Sequence, residues 1–80
     1  MWFVYILQSE LDKRYYYGFT ERDPLERLKE HNDGKSLYTK KFRPWKIVWY
    51  AAFLSKKKAQ DFEAYLKGNS GYAFSRKRLI

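Results

Sequence analysis

The chain has no cysteine and only one histidine. The first absence removes disulfides and thiolate zinc sites as sources of stability. The second excludes any metal site built on a pair of histidines. No apolar run approaches the length of a membrane span, and no secretory signal pattern opens the chain, so a soluble, cytoplasmic protein is expected. Acidic side chains are scarce after the first half: residues 36–80 hold two Asp/Glu against eleven Lys/Arg, a net +9, whereas residues 1–35 net −1. So one-sided an excess predicts one strongly positive face suited to a polyanion, most simply nucleic acid; a generic solubility charge is the alternative. Eighty residues are expected to form one domain over 1–80 with a modest core, and aromatic residues, 21% of the chain, are its main source of volume.

The stretch from Arg14 to Asn32 organises the rest. Its Tyr-rich first part predicts a strand, broken at Gly18, where backbone can pass closely. Asp23-Pro24-Leu25-Glu26 reads as a helix start, with Asp23 as cap, Pro24 at the first helical position and Glu26 closing a capping box. Leu25 and Leu28 define the expected buried stripe of this helix, and Arg27 and His31 share a different flank. A Tyr-rich strand beside an Arg/His flank can bind phosphate; the competing reading is a solvated surface helix.

Taken in order, Trp2–Leu7 is a strand buried on both faces, Gln8–Lys13 a hairpin loop and Arg14–Thr20 the returning strand. The first helix spans about 24–32 and ends at Asp33-Gly34. Lys35–Lys46 is a basic connection in which Lys35, Lys40, Lys41, Arg43 and Lys46 alternate with Tyr38, Phe42 and Trp45. This composition suits nucleic-acid backbones and exposed bases, and equally a loop pinned to the core by its rings. Ile47–Leu54 is a third strand. Ser55 caps a second helix running to Lys67, with Lys56, Lys57 and Lys58 in its first turn, where they oppose the helix dipole. Ser70 is expected to cap a last helix, Gly71–Arg78, that ends in Arg76, Lys77 and Arg78. The order β-β-α-β-α-α predicts an α+β fold with a small three-stranded antiparallel sheet flanked by helices.

In the second helix Ala59, Phe62 and Leu66 form the buried stripe, and Glu63 occupies the remaining slot at its margin. A carboxylate there needs a partner: an Arg or Lys, a tyrosine hydroxyl, or a metal ion. One carboxylate can hold Mg²⁺ when waters and substrate phosphates fill the other positions.

These features together resemble the GIY-YIG nuclease superfamily, in particular its small, stand-alone, excinuclease-like members. Phe3-Val4-Tyr5 matches the first signature triplet in its tyrosine, and Tyr16-Tyr17-Gly18 matches the second in its first and last residues. Arg27-Leu28-Lys29-Glu30-His31-Asn32 matches the helix motif that carries the family's arginine and histidine. Ala59 through Lys67 matches the helix of the metal carboxylate, here Glu63, and Leu66 through Gly71 with Phe74, Arg78 and Leu79 is similar to the family's ending. The resemblance implies an intracellular, bacterial-type endonuclease that hydrolyses phosphodiester bonds in DNA, structure-tolerant and linked to repair or recombination. It implies one divalent metal, Mg²⁺ or Mn²⁺, held by Glu63, with Tyr5 as general base, Arg27 as phosphate clamp, and Tyr16 and His31 orienting water and phosphate. Lys35, Lys40, Lys41, Arg43, Lys56, Lys57, Arg76, Lys77 and Arg78 would hold the nucleic-acid backbone. A non-catalytic binding module, and a catalytic subunit needing a recognition partner or a homodimer, are the alternatives.

Overall fold

A computed structural model describes residues Met1–Ile80. Strands β1 (Trp2–Ser9), β2 (Tyr15–Thr20) and β3 (Trp45–Phe53) form one antiparallel sheet in the order β2-β1-β3. β1 is central, so both of its faces are covered. Val4 and Ile6 point into one hydrophobic cluster, and Tyr5 and Leu7 into another on the opposite face; all four are 0–1% exposed. This explains the unbroken apolar run, because a strand covered on both sides has no solvent face to mark with polar residues. The pairing of β1 with β3 shifts between Ile6 and Leu7, which oppose Trp49 and Ile47, so Val48 is the extra residue of a bulge.

Four helices cover the two faces: α1 (Pro24–Asn32), α2 (Leu37–Lys40), α3 (Lys56–Lys67) and α4 (Asn69–Arg78). On one face lie α1, through Leu28, and α2 with the segment after it, through Phe42, packed with Tyr5, Leu7, Tyr16, Ile47 and Trp45. On the other lie α3 and α4, with Ala59, Leu66, Phe62 and Leu79 against Val4, Ile6 and Tyr17. The stripe expected for the second helix therefore holds, since Ala59 and Leu66 are fully buried.

α1 starts and stops as its sequence dictates. Asp23 Oδ1 accepts the Leu25 N–H at 2.9 Å, and Pro24 occupies the first turn. At the other end Gly34 adopts φ +81°, and the N–H groups of Gly34 and Lys35 donate to the carbonyls of His31 and Glu30. Two details differ from expectation. Glu26 makes no return bond to Asp23, and Leu25 is 65% exposed. The inward face consists instead of Pro24, Leu28 and His31, at i, i+4 and i+7, so the histidine belongs to the buried stripe and not to a flank.

The basic connection contains a one-turn helix, α2, absent from the sequence expectation. Trp45 is 3% exposed and Phe42 joins the core, so aromatic pinning is real, whereas Lys35, Lys40, Lys41 and Arg43 all remain exposed. α4 starts at Asn69, and its cap position is taken by Gly68 without a side-chain bond, so Ser70 is not the cap. A tie between the Tyr17 hydroxyl and Ser75 Oγ, at 2.9 Å, joins α4 to β2.

Gly18 lies opposite Tyr5 in the β1–β2 register. A Cβ at Gly18 would fall 2.6 Å from Tyr5 Cε2 and closer still to Cζ and Oη. The missing side chain is therefore the space into which the Tyr5 ring leans. Gly18→Ala is expected to destabilise the fold by about 1–3 kcal/mol, as overpacking does, measured as a lower urea midpoint with unchanged m-value.

Candidate active site

The polar residues of the α1 face converge on Tyr5. Its hydroxyl lies 3.0 Å from His31 Nε2 in a buried hydrogen bond, and His31 Nδ1 lies 2.7 Å from Thr39 Oγ1. The Tyr16 ring sits beside both, with centroids 5.0 Å from His31 and 6.4 Å from Tyr5. Each position follows from local structure. Tyr5 and Tyr16 come from adjacent antiparallel strands on the same sheet face, His31 from the last turn of α1, and Thr39 from α2. His31 is 1% exposed and Thr39 0%, which rules out the solvated-helix alternative.

Arg27 stands one turn before His31, its charge next to Tyr5. Its guanidinium is held by Glu30, which also takes two hydrogen bonds from Arg22 at 2.6 and 2.8 Å. The two guanidinium partners hold the Glu30 carboxyl down to about 2, below its ordinary 4.5. Burial drives the His31 pKa down to about 4, and the neighbouring Arg27 charge adds to the fall. His31 is therefore a neutral imidazole at physiological pH, with one nitrogen donating and the other accepting. Burial raises the Tyr5 pKa above its ordinary 10; Arg27 pulls the other way, and the Tyr16 and Glu63 charges reinforce the rise.

Glu63 comes from α3, on the opposite layer. Its carboxylate accepts from Lys67 Nζ at 2.9 Å, one helical turn on, and its side chain is 21% exposed. The expected ion pair exists, and its cation is Lys67, not Arg27. No cluster of three or more His, Asp, Glu or Cys side chains occurs in the chain, so no cage made of protein ligands alone is available. A lone, partly exposed carboxylate fits a cation that keeps waters and substrate oxygens as its other ligands.

The cations of residues 36–80 are carried by helices and loops of both layers. Lys35, Lys40, Lys41 and Arg43 flank α2 in the site's own layer, and Arg76, Lys77 and Arg78 end α4 in the other, with Arg76 over the Tyr15 ring at 5.3 Å. Lys56 lies 5.2 Å from the Trp2 ring at the far end of β1, and Lys57 pairs with Asp61 at 2.8 Å. The division follows from topology: the basic half of the chain supplies helices to both faces.

Sequence reasoning missed Thr39 and the residues that hold it. The Thr39 carbonyl accepts the Trp45 indole N–H at 2.8 Å, and Trp45 backbone exchanges two hydrogen bonds with the Asn32 side chain, at 2.7 and 3.0 Å. Asn32 follows His31 in the chain, so the bonds close a circuit around the imidazole. A threonine and a tryptophan in a basic connection carry no local signal of such contacts.

The family model for the GIY-YIG catalytic domain matches residues 1–77, and the chain belongs to the GIY-YIG family. Over 66 residues it is 38% identical to the UPF0213 protein YazA of Bacillus subtilis and 39% identical to a UPF0213 protein of Streptococcus pneumoniae serotype 4. Over 67 residues it is 41% identical to the UPF0213 protein CPE1444 of Clostridium perfringens. These matches cover 81% of this chain and 65%, 65% and 69% of the respective relatives, so the match spans just under two thirds of the first two. No solved structure matches the chain.

A group whose pKa is lower folded than unfolded binds its proton more weakly in the native state. The His31 contribution to stability is therefore complete above about pH 6.5 and lost as the pH falls toward about 4. An NMR titration of the one histidine is expected to show a midpoint far below 6.5. Melting temperature is expected to fall between pH 6.5 and 5 in the wild type and less steeply in His31→Gln.

Proposed function

We propose that this chain is a metal-dependent endonuclease that hydrolyses phosphodiester bonds in DNA, tolerant of substrate structure and serving repair or recombination. The observation that carries the reading is the Tyr5 hydroxyl, held by His31 Nε2 at 3.0 Å beside the Arg27 charge. A structural tyrosine needs one hydrogen-bond partner. This one has a histidine and a cation at the same phenol, in a family defined by a catalytic domain.

In this reading Tyr5 is the base. A phenol with a pKa at or above 10 is a poor base near neutrality, so positive charge must favour its ionised form. Arg27 supplies part of that charge and also donates to a phosphate oxygen, while Glu30 and Arg22 fix its direction. Glu63 would hold one Mg²⁺ or Mn²⁺, and such a cation supplies charge stabilisation at the scissile phosphate while cancelling the carboxylate charge that disfavours the phenolate. His31, neutral and buried, keeps the Tyr5 oxygen in place and donates or accepts one hydrogen bond there. Tyr16, whose ring lies beside both Tyr5 and His31, would orient water and phosphate. Lys35, Lys40, Lys41 and Arg43 follow the backbone of the bound strand by charge, without reading bases.

The test incubates the protein with supercoiled plasmid and branched DNAs in Mg²⁺, Mn²⁺ or EDTA, beside folded Glu63→Ala and Tyr5→Phe variants. Metal-dependent nicking is expected, lost in Glu63→Ala with the metal ligand and reduced by at least about 100-fold in Tyr5→Phe, the range for loss of an acid–base group. Cleavage that survives Glu63→Ala removes the site assignment. Salt-sensitive binding without cleavage in any metal favours a binding module.

A further inference from the structure

The chain Thr39–His31–Tyr5 has three titratable or hydroxylic groups and two hydrogen bonds, at 2.7 and 3.0 Å. In the neutral state it also has three protons: one on the threonine hydroxyl, one on the imidazole and one on the phenol. Two protons fill the two bonds and one is surplus. If the imidazole proton sits on Nδ1, His31 donates to Thr39, Tyr5 donates to Nε2, and the surplus proton is the threonine's. If it sits on Nε2, Thr39 donates to Nδ1, His31 donates to the Tyr5 oxygen, and the surplus proton belongs to Tyr5.

The two ends differ in what can take that proton. Thr39 is 0% exposed, and its hydroxyl makes no hydrogen bond besides the one to His31. A surplus proton there would be a buried donor without an acceptor, carrying its full desolvation penalty. Tyr5 is also shielded, at 1% exposed, yet its oxygen feels the Glu63 carboxylate as well as the Arg27 guanidinium, so a proton left on the phenol has a negative charge to turn toward, which the threonine end lacks. The Trp45 indole N–H donates to the Thr39 carbonyl and so anchors the backbone that carries this hydroxyl.

We infer that Thr39 is a positioning residue whose hydroxyl donates to His31 Nδ1, fixing the Nε2–H form of the imidazole so that His31 donates to the Tyr5 oxygen. His31 is then a preset donor to the phenolate, and the proton that Tyr5 must lose is the one facing the site. The consequence for cleavage rests on the nuclease reading above; the tautomer itself does not.

The chain's one histidine makes the test direct. In ¹⁵N NMR of the wild type at neutral pH, Nε2 is expected to carry the proton and Nδ1 to be bare. Thr39→Val is expected to give averaged or reversed nitrogen shifts, and Thr39→Ser to retain the wild-type pattern. A wild-type proton on Nδ1, or an Nε2–H form unchanged in Thr39→Val, overturns the inference; the first readout stands even where the valine variant does not fold. In plasmid cleavage, Thr39→Val should lower kcat by about 10- to 100-fold, the usual cost of losing an outer-shell partner, with KM unchanged and Thr39→Ser restoring the rate. Equal rates for Thr39→Val and wild type would contradict a role in cleavage. A wild type with the Nε2–H pattern that cuts no DNA would remove the nuclease reading and leave the positioning of His31 standing.

Discussion

The hydrogen bond between the Tyr5 hydroxyl and His31 Nε2 is the constraint on which the rest of the site depends. It joins the central strand to the last turn of α1 across a buried sheet face. Two polar side chains can occupy that interior because every polar atom involved has a partner. Thr39 caps the other imidazole nitrogen, Trp45 holds Thr39, and Asn32 holds Trp45 and returns the chain to His31. Such a circuit fixes ring orientation without metal or disulfide. Gly18 completes it, since any side chain there would occupy the place of the Tyr5 ring.

The electrostatics run in one consistent direction. Burial keeps His31 neutral and Tyr5 protonated in the free protein. Arg27 opposes the second effect and strengthens the first, so one cation makes the phenol more acidic and the imidazole less basic. Glu30 and Arg22 hold Arg27 without neutralising the site, because Glu30 is shared between two guanidinium groups. The Glu63 charge adds to the effect of burial on Tyr5, so its neutralisation would make the phenol more acidic.

The fold was legible because its signals are local. The continuous apolar run of β1, the Asp-Pro start and glycine end of α1, and the Ala59–Phe62–Leu66 stripe each follow from short-range rules. The three-stranded sheet follows from them, while the family assignment rests on the signature residues Tyr5, Tyr16, Gly18, Arg27, His31 and Glu63 and on the match over residues 1–77. What escaped was set by tertiary contact. Leu25 and His31 compete for the inward side of α1, and the histidine takes it because Tyr5 and Thr39 satisfy both of its nitrogens. Thr39 itself, the one-turn α2 and the division of the basic residues between two layers have no counterpart in periodicity or composition. Glu63 was conspicuous as a charge at the edge of an apolar stripe, but its nearest cation, Lys67, is local to the helix, whereas Arg27 belongs to Glu30.

The proposed site draws on both layers, with Tyr5 and His31 from the α1 face and Glu63 from α3. The most direct measurement follows the His31 ring signals of the Tyr5→Phe protein bound to DNA as Mn²⁺ is added, beside the same protein carrying Glu63→Ala. Paramagnetic broadening of His31 that disappears with Glu63 is the predicted result. Broadening that persists without the carboxylate, or none while it is present, would contradict a metal centre shared by the two layers.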